Sequence, residues 1–312
     1  MNISNGSRIL QWLLESQGRI DTTELVSVAA WKERFDKETQ GWNVPIDHAV
    51  IGGFLADRTA YAFAAGYECA LRRLVPSLPE RTVVSFCVTE EKGGHPSAIR
   101  SSLKKGKAGP WVLNGGKKFV TLATEAELLL IAASTGTASD GKNMLRIAMV
   151  SRNTPGVEVS AMAGLPFVPE ISHGTVALYD VPVEERDILI GDGYAEYIRP
   201  FRTIEDLHIE CAVLAHLFRI GCLYGWPRAV KERIAAVIAC ARALSLDNPS
   251  SPALHIALGG LNAQMASLIA DLSGWWETVD EKTRAAWERD SALLRVAEKA
   301  RSKRLETAWS RF

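Results

Sequence analysis

Two threonines stand at the ends of apolar, strand-like runs: Thr89 closes Phe86-Cys87-Val88-Thr89-Glu90, and Thr121 closes Lys117-Lys118-Phe119-Val120-Thr121. A hydroxyl at such a place donates to or accepts from a flat heterocycle laid against a sheet. Taken singly, each threonine reads as a strand end and Phe119 as core. Taken together, in matching contexts, they favour a ligand site.

The surrounding sequence supplies the elements that must hold them. Thr82–Val88 is β-branched and aromatic, and Trp111-Val112-Leu113 runs into Asn114-Gly115, a dipeptide that predicts a hairpin turn before Lys118–Thr121. Leu128–Ala132, Leu145–Val150, Val157–Ser160 and Thr175–Tyr179 continue as short strands. Residues 82–193 therefore read as a mostly antiparallel barrel or sandwich. Before it, apolar residues at helical spacing over Ile9–Leu14, Leu25–Phe35 and Ile46–Leu78 predict a small helical domain, 1–81. After it, Leu207–Gly221, Ala229–Leu244, Leu254–Trp276 and Trp287–Phe312 predict a helical bundle, 194–312. The fold class is α+β.

Composition narrows the function. Lys and Arg total 36 and Asp and Glu total 36, so no global field draws nucleic acid or an anionic membrane. The basic residues near the C-terminus alternate with acidic ones and read as a solvated helix face. Five cysteines without a C-x-x-C spacing read as buried free thiols in a reducing compartment. The apolar run Ile9–Leu14 ends at Glu15, short of a signal peptide, and no stretch reads as a membrane span, so the expected location is cytoplasmic. Gly136–Asn143 approaches a phosphate loop, but Asn143 stands where Ser or Thr would bind Mg²⁺. Six scattered histidines support no metal site.

The two threonine motifs, with the helix–sheet–helix order and an exit segment Val176–Val183 leading to Ile188-Leu189-Ile190-Gly191, resemble the acyl-CoA dehydrogenase family. There a "CxTE" strand and an "NGxKxxIT" segment hold the ring of FAD. The resemblance implies that Thr89 meets the pyrimidine side of the flavin, that backbone groups of Phe86 and Val88 approach it, that Thr121 contacts its redox-active nitrogen, and that Phe119 packs beside it. Such groups tune electron affinity and exclude water. The family's "GSD" is Gly94-His95-Pro96 here, which places Gly94 and His95 on the substrate or phosphate side. Its "RxxFG" arginine is best matched by Arg242, in Arg242-Ala243-Leu244-Ser245.

The resemblance also implies proton abstraction by a glutamate in a dry pocket. The Tyr-Glu-Gly context usual for it is absent from this sequence. By elimination, and because some members carry the base on the first long C-terminal helix, the candidate is Glu210. A solvated or ion-paired glutamate is the alternative. The implied function is oxidation of a CH–CH bond in an acyl thioester by an FAD-bearing homo-oligomer. Alternatives are a non-catalytic partner subunit or acyl-binding protein, and a flavin-dependent oxidase or monooxygenase.

Overall fold

The structure, a computed structural model, describes residues 5–106 and 109–312. The chain forms two compact units, Met1–Arg73 with Pro166–Glu170 and Thr203–Phe312, and Leu74–Leu165 with Ile171–Arg202.

The first unit is helical. Its N-terminal part holds α1 (Asn5–Glu15), α2 (Val28–Glu38), α3 (Pro45–Leu55) and α4 (Thr59–Leu74). Its C-terminal part holds α5 (Arg199–Leu223) from Thr203 onward, its first four residues belonging to the second unit, and α6 (Arg228–Ser245), α7 (Pro252–Asp271), α8 (Glu281–Asp290) and α9 (Glu298–Trp309). Side chains start three of them: Ser27 accepts from Ala30 N, Ser251 from Leu254 N and Asp280 from Thr283 N. The run Ile46–Leu78 is two helices rather than one. Ala56 is extended, and Asp57 leaves the helix to accept from Leu25 N at 2.8 Å and to pair with Arg58.

Ile9 and Leu13 of α1, Val50 and Phe54 of α3, Leu214 and Phe218 of α5, Ile238 of α6 and Leu261 of α7 share one core. Two glycines bring backbones together there. A Cβ on Gly53 would lie 1.9 Å from the Ala212 carbonyl oxygen, and one on Gly66 would lie 2.6 Å from the Ile209 Cα, so α3 and α4 both rest directly on α5. By length and composition α7 is long and apolar enough to cross a membrane, against the sequence expectation. One side of it, Leu254, Leu258, Leu261, Met265 and Leu268, lies in this core.

The second unit is a curled mixed sheet of β1 (Val84–Cys87), β2 (Ser102–Lys105), β3 (Trp111–Thr121), β4 (Leu128–Thr137), β5 (Asn143–Ser151), β6 (Val157–Ala161) and β7 (His173–Val183). β1 pairs with β4 in parallel, with Phe86 opposite Leu130, and β2 meets β4 in parallel at Ser102 and Ser134. The pairs β2–β3, β3–β7, β4–β5 and β6–β7 are antiparallel. Leu103, Leu113, Val120, Leu129, Ile131, Val176 and Leu178 fill its core.

Asn114-Gly115 is not the expected hairpin turn. β3 runs unbroken through it, and the reversal lies between β2 and β3, after Lys105. Gly115, at φ +142°, forms a bulge instead, where a Cβ would meet the Ser101 Oγ at 2.3 Å. A second bulge follows between Lys117 and Val120, and it shapes the candidate site.

Candidate functional site

The segment that continues β1 runs beside the end of β3. Ser85 Oγ donates to the Thr121 carbonyl at 2.6 Å, and Lys118 N donates to the Thr89 carbonyl at 2.8 Å. These bonds bring Phe86, Val88, Thr89, Phe119 and Thr121 together on adjoining stretches of backbone. Phe86 is buried, with its ring edge-on to Phe201 at 5.0 Å between centroids. Val88, Thr89 and Thr121 are half-buried.

Phe119 is 54% exposed and lies in the second bulge of β3 at φ +55°. A bulky residue in the left-handed region costs about 1–3 kcal/mol, and a bare ring on the surface forgoes the gain from burial. Both costs fall on one residue beside Thr121.

A buried ion pair anchors this edge. Lys117 Nζ donates to Glu90 Oε1 at 2.7 Å, to the Ala132 carbonyl at 2.5 Å and to the Val88 carbonyl at 3.4 Å. Glu90 also accepts from Arg100 N at 2.7 Å and Ser101 N at 3.0 Å. Burial raises the Glu90 pKa, but the Lys117 bond and the two amides outweigh it and hold the carboxyl below its usual range. Burial lowers the Lys117 pKa, with Glu90 opposing. Glu90 and Lys117 both lie inside the two sequence motifs, yet their pairing shows only in the fold.

A second residue without any sequence signal stands across the sheet from Thr121. His173, on β7, is its register partner. It is buried; its Nε2 is 3.5 Å from Thr121 Oγ1, and its Nδ1 is 3.2 Å from the Ile171 carbonyl. Burial lowers its pKa, with the Ile171 carbonyl and Glu125 opposing, so the ring favours its neutral form.

Gly94 lies against Thr89, where a Cβ would be 3.2 Å from the Thr89 Oγ1. His95 is exposed, and its Nδ1 is occupied locally, 2.7 Å from Ser97 Oγ and accepting from Ser97 N at 3.3 Å. Among the described residues no cluster of His, Cys, Asp or Glu could hold a metal ion.

Glu210 belongs to the helical unit and is buried. It lines a cavity of about 620 Å³ whose apolar wall includes Leu258, Met265, Ile269, Trp287, Leu294 and Leu305. That is a ligand-sized volume. The Arg301 guanidinium lies 3.4 Å from Glu210 Oε1, and with its amide turned, Asn262 donates to the same oxygen at 3.0 Å. Burial pushes the Glu210 carboxyl up to about 8, Arg301 pulling it down and Asp206 pushing it up further. Arg301 and Arg304 do not belong to a solvated face. Both turn inward to Asp206, Arg301 at 3.0 Å.

Arg242 is already paired with a carboxylate. It is buried and bonds Asp47 through two nitrogens, Nε to Oδ1 at 2.5 Å and Nη2 to Oδ2 at 3.0 Å. A fork used in this way has its strongest geometry already satisfied inside the unit.

Residues 85–181 match the family described as acyl-CoA dehydrogenase, middle domain. The glutaryl-CoA dehydrogenase of Desulfococcus multivorans is 30% identical over 135 residues, 41% of this chain and 33% of that protein. The match thus spans about a third of the relative's length. Among solved structures, butyryl-CoA dehydrogenase from Megasphaera elsdenii superposes with a TM-score of 0.71 over 99% of each chain at 13% identity. The FAD complex of PigA superposes with a TM-score of 0.69 over 99% of each chain, also at 13% identity. At such identities the likeness concerns the fold.

Proposed function

The chain belongs to the acyl-CoA dehydrogenase family, and from that premise we propose that it holds FAD on its sheet unit and oxidises a CH–CH bond of an acyl thioester or a related substrate. The observation that carries the reading is Phe119, an exposed ring on strained backbone between Thr121 and the segment bearing Thr89. Bound there, a flavin supplies a hydride acceptor that no side chain offers. Thr89 and Thr121 bond the polar edge of its ring, Phe119 shields it from water, and Gly94 leaves room beside Thr89. Lys117 and Glu90 fix the backbone on which these groups ride.

Removal of the substrate's proton falls to Glu210. Glu210 itself is buried, and the raised pKa suits a group that accepts a proton near neutral pH. Asn262 and Arg301 orient the carboxylate. The acyl portion lies against the apolar wall of the cavity that Glu210 lines.

The ring end of FAD fits the residues present, whereas Arg242, the arginine matched to the pyrophosphate end, is bonded to Asp47. That pairing favours a second reading, a family member without turnover that serves as a partner subunit or acyl-binding protein. Flavin content separates the two. Purified protein is expected to be yellow, with flavin absorbance, and Thr89→Val with Thr121→Val is expected to weaken FAD about fivefold or more, at ~0.5–1.5 kcal/mol for each lost hydrogen bond. Colourless protein that takes up no added FAD supports the second reading. Unchanged FAD affinity in the double variant places the cofactor elsewhere.

A further inference from the structure

The bonds around His173 fix the direction of a proton. A backbone carbonyl only accepts, so the contact between His173 Nδ1 and the Ile171 carbonyl requires the proton on Nδ1. The neutral ring then carries a lone pair on Nε2. The partner of that lone pair is Thr121 Oγ1, at 3.5 Å, so the hydroxyl donates inward to the histidine. What the hydroxyl presents on its other side is its own lone pairs.

We propose that His173 is a positioning residue that turns the Thr121 hydroxyl into an acceptor toward the ligand. This rests on the flavin reading given above. An acceptor at this place matches the ring in its reduced form, which carries an N–H at its redox-active nitrogen, better than the oxidised form, which carries a lone pair there. His173 therefore biases the site toward reduced flavin and raises the potential of the cofactor. The surroundings keep the arrangement in place. Thr121 and His173 face each other in register across β3 and β7, and Ser85 Oγ holds the Thr121 carbonyl at 2.6 Å. Glu125 is the charged group that acts on the ring, and its carboxylate is bonded by Ser172 and by Thr124, whose Oγ1 donates at 2.9 Å.

Two measurements test this. In the protein without added flavin, side-chain ¹⁵N NMR near neutral pH is expected to show His173 protonated on Nδ1 and bare on Nε2. The opposite tautomer overturns the inference and leaves the flavin reading standing. In the FAD-loaded protein, His173→Leu is expected to reduce the preference for reduced over oxidised flavin about fivefold, the scale of one neutral hydrogen bond. This corresponds to a fall of about 20 mV at 29.6 mV per tenfold. His173→Gln, which keeps an acceptor near Thr121, is expected to restore most of the potential and also covers misfolding of the leucine variant. In a Thr121→Val background His173→Leu is expected to change nothing further. Additive shifts in the two variants overturn the inference. Wild-type protein that binds no FAD overturns the reading, and this role with it.

Discussion

Lys117→Met is the sharpest test of how the site edge is built. The substitution keeps most of the buried apolar stem and removes a cation with three acceptors, Glu90, Ala132 and Val88. Glu90 keeps its two amide donors, Arg100 N and Ser101 N, but has lost its counter-charge in a buried site. Removing one partner of a buried pair costs about 3–5 kcal/mol, a large part of the ~5–15 kcal/mol that stabilises a typical domain. Equilibrium urea denaturation measures it. With m near ~3 kcal/mol/M the midpoint falls by about 1–1.7 M. Hydrogen exchange is expected to accelerate first in β1, β3 and β4, the strands that the lysine ties together. Adding Glu90→Gln should return part of the loss, because the uncompensated charge is then gone. A single variant within ~1 kcal/mol of the wild type, or a double variant worse than the single one, would refute the argument.

Two further outcomes complete the set. Glu210 has a folded pKa of about 8 against the usual 4.5 of a solvated glutamate, so the native state binds the extra proton between those values. Stability then falls as pH rises from about 4.5 to 8. Glu210→Gln should therefore gain on the wild type by a few kcal/mol (~1.4 per pKa unit) across that window in pH-dependent melts, while acyl-thioester turnover drops ~10²–10⁴-fold; parallel pH profiles or unchanged turnover contradict its assigned role. Phe119→Gly should stabilise the protein by roughly 1 kcal/mol in thermal melts by relieving the left-handed backbone, and weaken FAD binding; lower stability would show that the exposed ring supports the fold itself.

How much of this was legible in the sequence depended on the range of the interaction. Strands announced themselves through β-branched runs, and helices through apolar spacing, because those signals are local. Thr89, Phe119 and Thr121 were legible as neighbours because a two-motif pattern carried them. Asn114-Gly115 misled because the dipeptide tolerates positive φ for any purpose, and a bulge uses that tolerance as readily as a turn. Lys117 and Glu90 were quoted within the motifs but not paired, since contacts 27 residues apart leave no periodic trace. His173 was invisible, because only the register between β3 and β7 puts it opposite Thr121. The pairing of Arg242, matched only by motif, and of Arg301 and Arg304, which read as a solvated face, leaves no sequence trace, because their partners Asp47 and Asp206 lie far away in sequence.

The direct seating of α3 and α4 on α5 also bears on how the chain is made. Gly53 and Gly66 meet the backbone at Ala212 and Ile209, so the early helices find their resting surface roughly 150 residues later. At synthesis rates of about 5–20 residues per second, that is an interval on the order of 8–30 s. During this time Val50 and Phe54 lack the α5 side chains with which they share a core in the finished protein. The sheet unit needs no such delay, as Leu74–Leu165 and Ile171–Arg202 emerge almost in one piece. Nascent chains of this design thus present their first helices to chaperones while their middle is already closing.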